Sequence, residues 1–255
     1  MILLNSSNPW LSIRNKIAIF IMSFSGDEGC LFQCVRALEK LSPRYDFEIF
    51  VIDDGHNPLE NIPENVHYSK SFFNRNGNLN GRECVEGMLF CMLEAARLSG
   101  ADVVIKIDSD IILNNLNWVK DFNPLQSHIG FQIQNQSHVS GCCYSLPTSA
   151  LVKMLKVLRS EPKNRDIPES ILMTSLSEKV GLKKVLHVCD SSNPDLWRAS
   201  SIDCKEIENG LSPHAYGLME NLDVILCEVI GANGDKDINF KLMKEYLNRK
   251  NAQGE

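Results

Sequence analysis

Residues 103–113 read Val-Val-Ile-Lys-Ile-Asp-Ser-Asp-Ile-Ile-Leu: an apolar, β-branched run that ends in two aspartates. Val103 to Ile107 has the composition of a buried strand. Asp108-Ser109-Asp110 follows without the Gly or Pro that makes an ordinary turn. In open α/β folds ligands bind at this place, beyond the carboxyl ends of the strands. Strand alternation continued through Asp110 would turn both carboxylates one way and Ser109 the other. Two close carboxylates repel unless a cation neutralises them, and hard oxygen donors suit Mg²⁺ or Mn²⁺. The competing reading is a solvated acidic turn.

The letters alone carry little. Fifteen aspartates in 255 residues give about one D-x-D pair by chance. A second pair, Asp235-Lys236-Asp237, opens an expected C-terminal helix (237–248), where acids simply favour the helix N-terminus. The weight of Asp108-Ser109-Asp110 comes from the strand it ends.

Upstream, apolar runs and amphipathic segments alternate, the pattern of βαβ units. Ile17 to Phe24 reads as a strand covered on both faces. Ser25-Gly26-Asp27-Glu28 has the form of a capping box, and Leu31, Cys34, Val35, Leu38 and Leu41 predict a helix over 26–41. Phe47 to Ile52 is a second strand ending in Asp53-Asp54-Gly55, and a short third strand is expected near Val66-His67-Tyr68. The Asn- and Gly-rich loop 74–81 precedes a helix carrying Val85, Met88, Leu89, Met92, Leu93 and Ala96, with Gly100 past its end. Downstream, strands are expected at 129–133, 142–146, 184–189 and 224–229, and helices at 148–159 and 168–180. Between them, 190–220 is irregular. The chain reads as a leader (1–15) and a single α/β domain (16–250) with a divided sheet, comprising a nucleotide-binding half (16–113) and an acceptor half (114–250).

Composition sets the class. Apolar residues make up 44% and charged residues 23%, ordinary for a soluble globular protein. A net charge of -6 argues against a nucleic-acid partner, because phosphate backbones reward excess Lys and Arg. Nine scattered cysteines, with no C-x-x-C, fit neither a disulfide scaffold nor a zinc site and point to a reducing, cytoplasmic setting. The polar Asn5 to Pro9 and an uncharged start do not make a signal peptide, and no apolar run reaches the ~20 residues of a membrane span.

Together these features resemble GT-A-fold glycosyltransferases, especially family-2-like members. The resemblance runs from about Lys16 to Gly181. It rests on the first strand and helix, VIDDG (51–55), the Arg75-Asn76-Gly77 loop, IKIDSDIIL (105–113), SGCCYSLPTSAL (140–151) and DIPESILMTSLSEKVGL (166–182), in that order. It implies a Rossmann-like, mixed and mostly parallel sheet flanked by helices. It also implies transfer of a sugar from a nucleotide-diphosphate sugar, with a UDP-sugar the expected donor, to a carbohydrate or other hydroxyl acceptor. By the same resemblance Ser23 and Phe24 match the first nucleotide loop, and Asp53 and Asp54 match the acids that contact base and ribose. Arg75 falls in the next loop. Asp108, Ser109 and Asp110 match the metal–diphosphate motif, and Gly141 starts the strand lining the sugar and acceptor site. A C-terminal His often adds a third metal contact, for which His214 is the candidate.

Inverting members open a helix with a Glu-Asp pair whose Asp is the general base; here the pair is Glu169-Ser170. Glu169, with Asp166 three residues before it, is the remaining candidate, since a carboxylate within reach of an acceptor hydroxyl can take its proton. The same letters also spell a D-x-x-E capping box. A catalytically inactive sugar-binding protein on this fold is the alternative of another class. A sugar nucleotidyltransferase is the weaker rival, because Ser23 to Asp27 lacks the basic loop that handles a triphosphate.

Overall fold

The structure, a computed structural model, describes residues 15–53, 58–73, 81–113, 115–120, 122–133, 137–161, 167–189, 226–228 and 248. Strand β1 (Ile17–Ser23) is buried at every position, as its unbroken apolar run requires. It pairs in parallel with β2 (Phe47–Asp53) on one side and β4 (Val103–Asp108) on the other, and β3 (His67–Lys70) extends the sheet beyond β2. Beyond β4 come β7 (Cys143–Pro147), antiparallel, then β6 (Ser127–Ile133) and β8 (Lys183–Cys189), parallel to each other. The order is β3-β2-β1-β4-β7-β6-β8: a mixed, mostly parallel seven-stranded sheet. A second, smaller sheet stands apart from it. After Asp110 the chain leaves the seven-stranded sheet to form β5 (Ile111–Leu113), which pairs antiparallel with β9 (Leu226–Glu228) in this two-stranded sheet.

Helices cover both faces. α1 (Glu28–Leu41) packs Leu31, Cys34, Val35 and Leu38 on the face formed by Ile17, Ile19 and Ile21 of β1 and Val103, Ile105 and Ile107 of β4. α2 (Gly81–Ser99), α4 (Thr148–Ser160) and α5 (Glu169–Lys179) cover the opposite face, which carries Ala18, Phe20, Met22 and Val104. A short α3 (Asn117–Lys120), unforeseen because four residues show no periodicity, buries Trp118 under the first face. Gly100 ends α2 at φ 68°, the left-handed conformation that glycine adopts without a side-chain clash. Among the described residues no helix is long and apolar enough to cross a membrane. The expected helix 237–248 lies outside the described residues except at its last position, as does the irregular 190–220 segment.

Two expected capping boxes do not form. Residues 25–27 are a 3-10 turn, α1 starts at Glu28, and its N-cap Asp27 makes no side-chain capping bond. The Glu28 carboxylate instead accepts the backbone N–H of Glu60 and of Asn61 and the Asn61 side-chain amide. It is thus used to hold the loop after β2. At α5 the N-cap is Pro168, so Glu169 is the first helical residue and cannot reach back as the fourth member of a box.

One buried group makes stability depend on pH. His128 on β6 is fully buried, and its Nδ1 lies 2.8 Å from Ser177 Oγ, whose own proton goes to the Thr174 carbonyl. Ser177 therefore accepts from Nδ1–H, and Nε2 has no hydrogen-bond partner among the described residues, so a second proton there would be a buried, unpaired charge. Burial, with the Lys184 charge adding to it, pushes the imidazole pKa down to about 3. Below the unfolded value near 6.5 the unfolded chain takes up a proton that the folded chain refuses. Stability present above that pH is therefore lost progressively as pH falls toward 3. At pH 5 the loss from this group is about 2 kcal/mol. Urea unfolding of wild type and His128→Phe at pH 7 and pH 5 should show a smaller acid-induced drop in the variant; equal drops would contradict this assignment.

Candidate active site

The residues of interest gather at the carboxyl ends of β1, β2 and β4. The strand register sets Ser23 beside Asp53 on one side, and Met22 beside Asp108 on the other. The β1–β4 boundary is where strand order reverses, the crevice at which open α/β sheets bind ligands.

β4 stops at Asp108, so strand alternation does not run through Asp110 as the sequence led us to expect; Ser109 and Asp110 form the turn between the two sheets. Val104, Lys106 and Asp108 share the face that looks toward α2, α4 and α5. Asp108 is about a quarter exposed, with a side-chain accessibility of 23%. Ser109 is buried on the α1 side and donates from Oγ to Asp27 Oδ2 at 2.8 Å. Asp110 is buried as well. Burial pushes the Cys34 thiol on α1 far up, and the charges of Asp110 and Asp108 add to that rise, so both carboxylates act on the same patch of α1.

Lys106 was not foreseen as part of this site. Its side chain has no exposed area, and its Nζ donates to Asp108 Oδ1 at 2.5 Å and to the Gly141 carbonyl. It also stands 5.9 Å from the ring centroid of its cross-strand neighbour Tyr144. A buried ammonium is tolerated only when paired and hydrogen-bonded in this manner. The signal was in the sequence: a lysine inside an apolar strand, two residues and therefore one face away from Asp108.

Gly141 belongs to the turn before β7. The Asp108 backbone N–H donates to the Cys142 carbonyl at 2.9 Å, so this turn is fastened to the end of β4. On its other side stands Glu169. A Cβ on Gly141 would lie 3.7 Å from Glu169 Oε1, which has no hydrogen-bond partner among the described residues although Glu169 is only 4% exposed. The start of α5 is held there by a close backbone approach. A Cβ on Gly81 would stand 1.7 Å from the Ile167 carbonyl oxygen, so only glycine lets α2 begin against this segment.

Asp53 is fully buried. Its Oδ2 accepts the Leu59 N–H at 3.0 Å and the Tyr68 hydroxyl at 2.8 Å. Burial, and next the hydrogen bond to this carboxylate, push the Tyr68 hydroxyl up to about 12. Asp53 therefore ties the loop after β2 and strand β3 to the site's edge. Phe24 stands in extended conformation at the start of the 3-10 turn, and its carbonyl accepts the Asp27 N–H at 2.8 Å. Asp54, Arg75, Asp166 and His214 lie outside the described residues.

The acidic turn is chemically suited to a hard divalent cation shared with a phosphate ligand. It offers the carboxylates of Asp108 and Asp110 on either side of Ser109, with Lys106 bonded to Oδ1 of Asp108. It is not a self-contained metal cage: among the described residues no three His, Cys, Asp or Glu side chains cluster for one ion.

No protein-family model and no curated protein sequence matches the chain. Among solved structures it is similar to the glycosyltransferase GlyE of Streptococcus pneumoniae TIGR4. That match has 10% identity and a TM-score of 0.51, and covers 94% of this chain and 64% of that one. The apo form of GlyE matches with a TM-score of 0.50. The chain is also similar to galactosyltransferase LgtC, solved with donor and acceptor sugar analogs, at 13% identity and a TM-score of 0.49 over 89% of this chain and 95% of that one. The chain thus spans 64% of the length of GlyE. At such identities the likeness is one of architecture alone. The chain has the GT-A fold of nucleotide-sugar glycosyltransferases.

Proposed function

We propose that this protein transfers a sugar from a nucleotide diphosphate sugar, with UDP as the favoured nucleotide, to an acceptor hydroxyl. One observation carries the reading. On a GT-A sheet, a buried carboxylate (Glu169), whose Oε1 has no hydrogen-bond partner among the described residues, faces the same Gly141 turn that the acidic turn at Asp108 is fastened to. Two acids in different environments, one in a paired acidic turn and one buried at the start of α5, fit two different tasks.

In this reading Asp108 and Asp110 hold Mn²⁺ or Mg²⁺ together with the diphosphate. The bound ion supplies Lewis-acid neutralisation of the charge that grows on the departing diphosphate. Glu169 accepts the proton of the acceptor hydroxyl as it attacks, or acts on the opposite face of the sugar if configuration is retained. Ser23 and Phe24 border the nucleotide, with Asp54 and Arg75 completing its loops and His214 the cation's ligands. Asp53 acts indirectly, by fixing the loop and strand beside them.

The test is a panel of UDP- and GDP-sugars, each with Mn²⁺, Mg²⁺ or EDTA, followed by release of nucleoside diphosphate. We expect release from at least one UDP-sugar, with EDTA removing it. Tight UDP binding with no release from any donor would instead make this a sugar-nucleotide-binding protein without turnover.

A further inference from the structure

Lys106 is costly where it stands. The strand around it is Val-Val-Ile-x-Ile, fully buried from Val103 to Ile107, and an aliphatic side chain there would avoid the several kcal/mol that desolvating an ammonium takes. What the ammonium does can be read from its partners. It joins Asp108 of the acidic turn to the carbonyl of Gly141, 35 residues further along the chain, and Gly141 is the residue that Glu169 faces. The backbone bond from Asp108 N–H to Cys142 fixes the same two segments from behind. One positive charge thus lies between the place proposed for the diphosphate and the place proposed for the acceptor.

We infer that Lys106 is a positioning residue of the active site: it fixes the Asp108 carboxylate, with Oδ1 engaged, so that this side chain meets a divalent cation and the nucleotide diphosphate in a single preset orientation. The inference rests on the functional reading above and adds to it a residue that touches neither substrate. Three chemical features support it. The contact to Asp108 is charge-assisted and, at 2.5 Å, short. The pair is shielded from water on the lysine side, so it is not screened like a surface bridge. And the lysine stem has no freedom to leave, being packed in the sheet's interior across from Tyr144. Partners of this kind, one step behind a metal ligand, typically govern metal affinity by about 10–100-fold.

The experiment is a double-mutant cycle of Lys106→Met and Asp108→Asn, with UDP affinity measured by calorimetry in Mn²⁺ and in EDTA and melting temperature recorded alongside. Lys106→Met should weaken Mn²⁺-dependent UDP binding by about tenfold or more while changing binding in EDTA less than about twofold. The double variant should bind no worse than Asp108→Asn alone, because a residue that acts through Asp108 has nothing left to orient. A Lys106→Met variant that binds as wild type overturns the inference, and so do losses that add in the double variant, as a merely structural lysine would give. Lys106→Gln, which keeps an amide donor without the charge, replaces the Met variant if that one does not fold. If wild type and Asp108→Asn bind UDP alike whether or not Mn²⁺ is present, the metal reading itself is wrong and the inference falls with it.

Discussion

Asp110→Asn is expected to abolish the gain in UDP affinity that Mn²⁺ gives the wild type, and to lower sugar transfer by about 10²–10⁴-fold. The size follows from where charge appears. As the bond to the sugar breaks, negative charge builds on the diphosphate, and an ion held by Asp108 and Asp110 would supply the neutralising charge. Asp110, buried in the turn that ends β4, stands beside Asp108, whose Oδ1 is engaged by Lys106. Asn keeps the volume of Asp and removes the charge, so the turn between β4 and β5 should keep its shape. Ser109 would still bond Asp27, and β5 would still pair with β9. Calorimetry with UDP in Mn²⁺ and in EDTA, and transfer from whichever donor the panel identifies, give the two readouts. A variant that keeps both the Mn²⁺-dependent gain and its turnover would remove Asp110 from the site.

The fold was legible because its central strands are buried on both faces. Ile17 to Met22 has no polar position and Val103 to Ile107 is interrupted only by Lys106, and the helices between them have one apolar face each. The acidic turn was legible for the same reason, since it sits where a readable strand ends. What the sequence concealed is set by contacts between distant segments. That Glu28 caps the loop at Glu60 and Asn61, not its own helix, depends on tertiary position and not on the S-x-x-E spelling. The same holds for Asp53: its place at the end of β2 was legible, but its bonds to the Leu59 N–H and the Tyr68 hydroxyl were not. Lys106 was in plain view and was passed over, because one charge in a strand reads as an interruption until its partners across the sheet are known. Gly81 gives no local sign at all; only the Ile167 carbonyl against it explains why the residue is small.

Glu169→Gln should separate catalysis from stability. Glu169 is buried at the first position of α5, and no described residue hydrogen-bonds its Oε1. A group of that kind costs free energy and persists where function requires it. Gln has nearly the same shape and cannot take a proton. Turnover should therefore fall by about 10²–10⁴-fold, the range of a lost general base, with little change in UDP binding, because Glu169 stands on the acceptor side of Gly141 in the proposed arrangement. The melting temperature should stay level or rise, since a neutral amide is easier to bury than a carboxylate. A residue that only shaped the start of α5 would behave in the opposite way: its replacement would lower the melting temperature, and any loss of turnover would follow from that. Thermal melts and initial rates on the same preparations distinguish the two. Retained turnover, or a fall in melting temperature by several degrees in step with a loss of UDP binding, would take the base assignment away from Glu169.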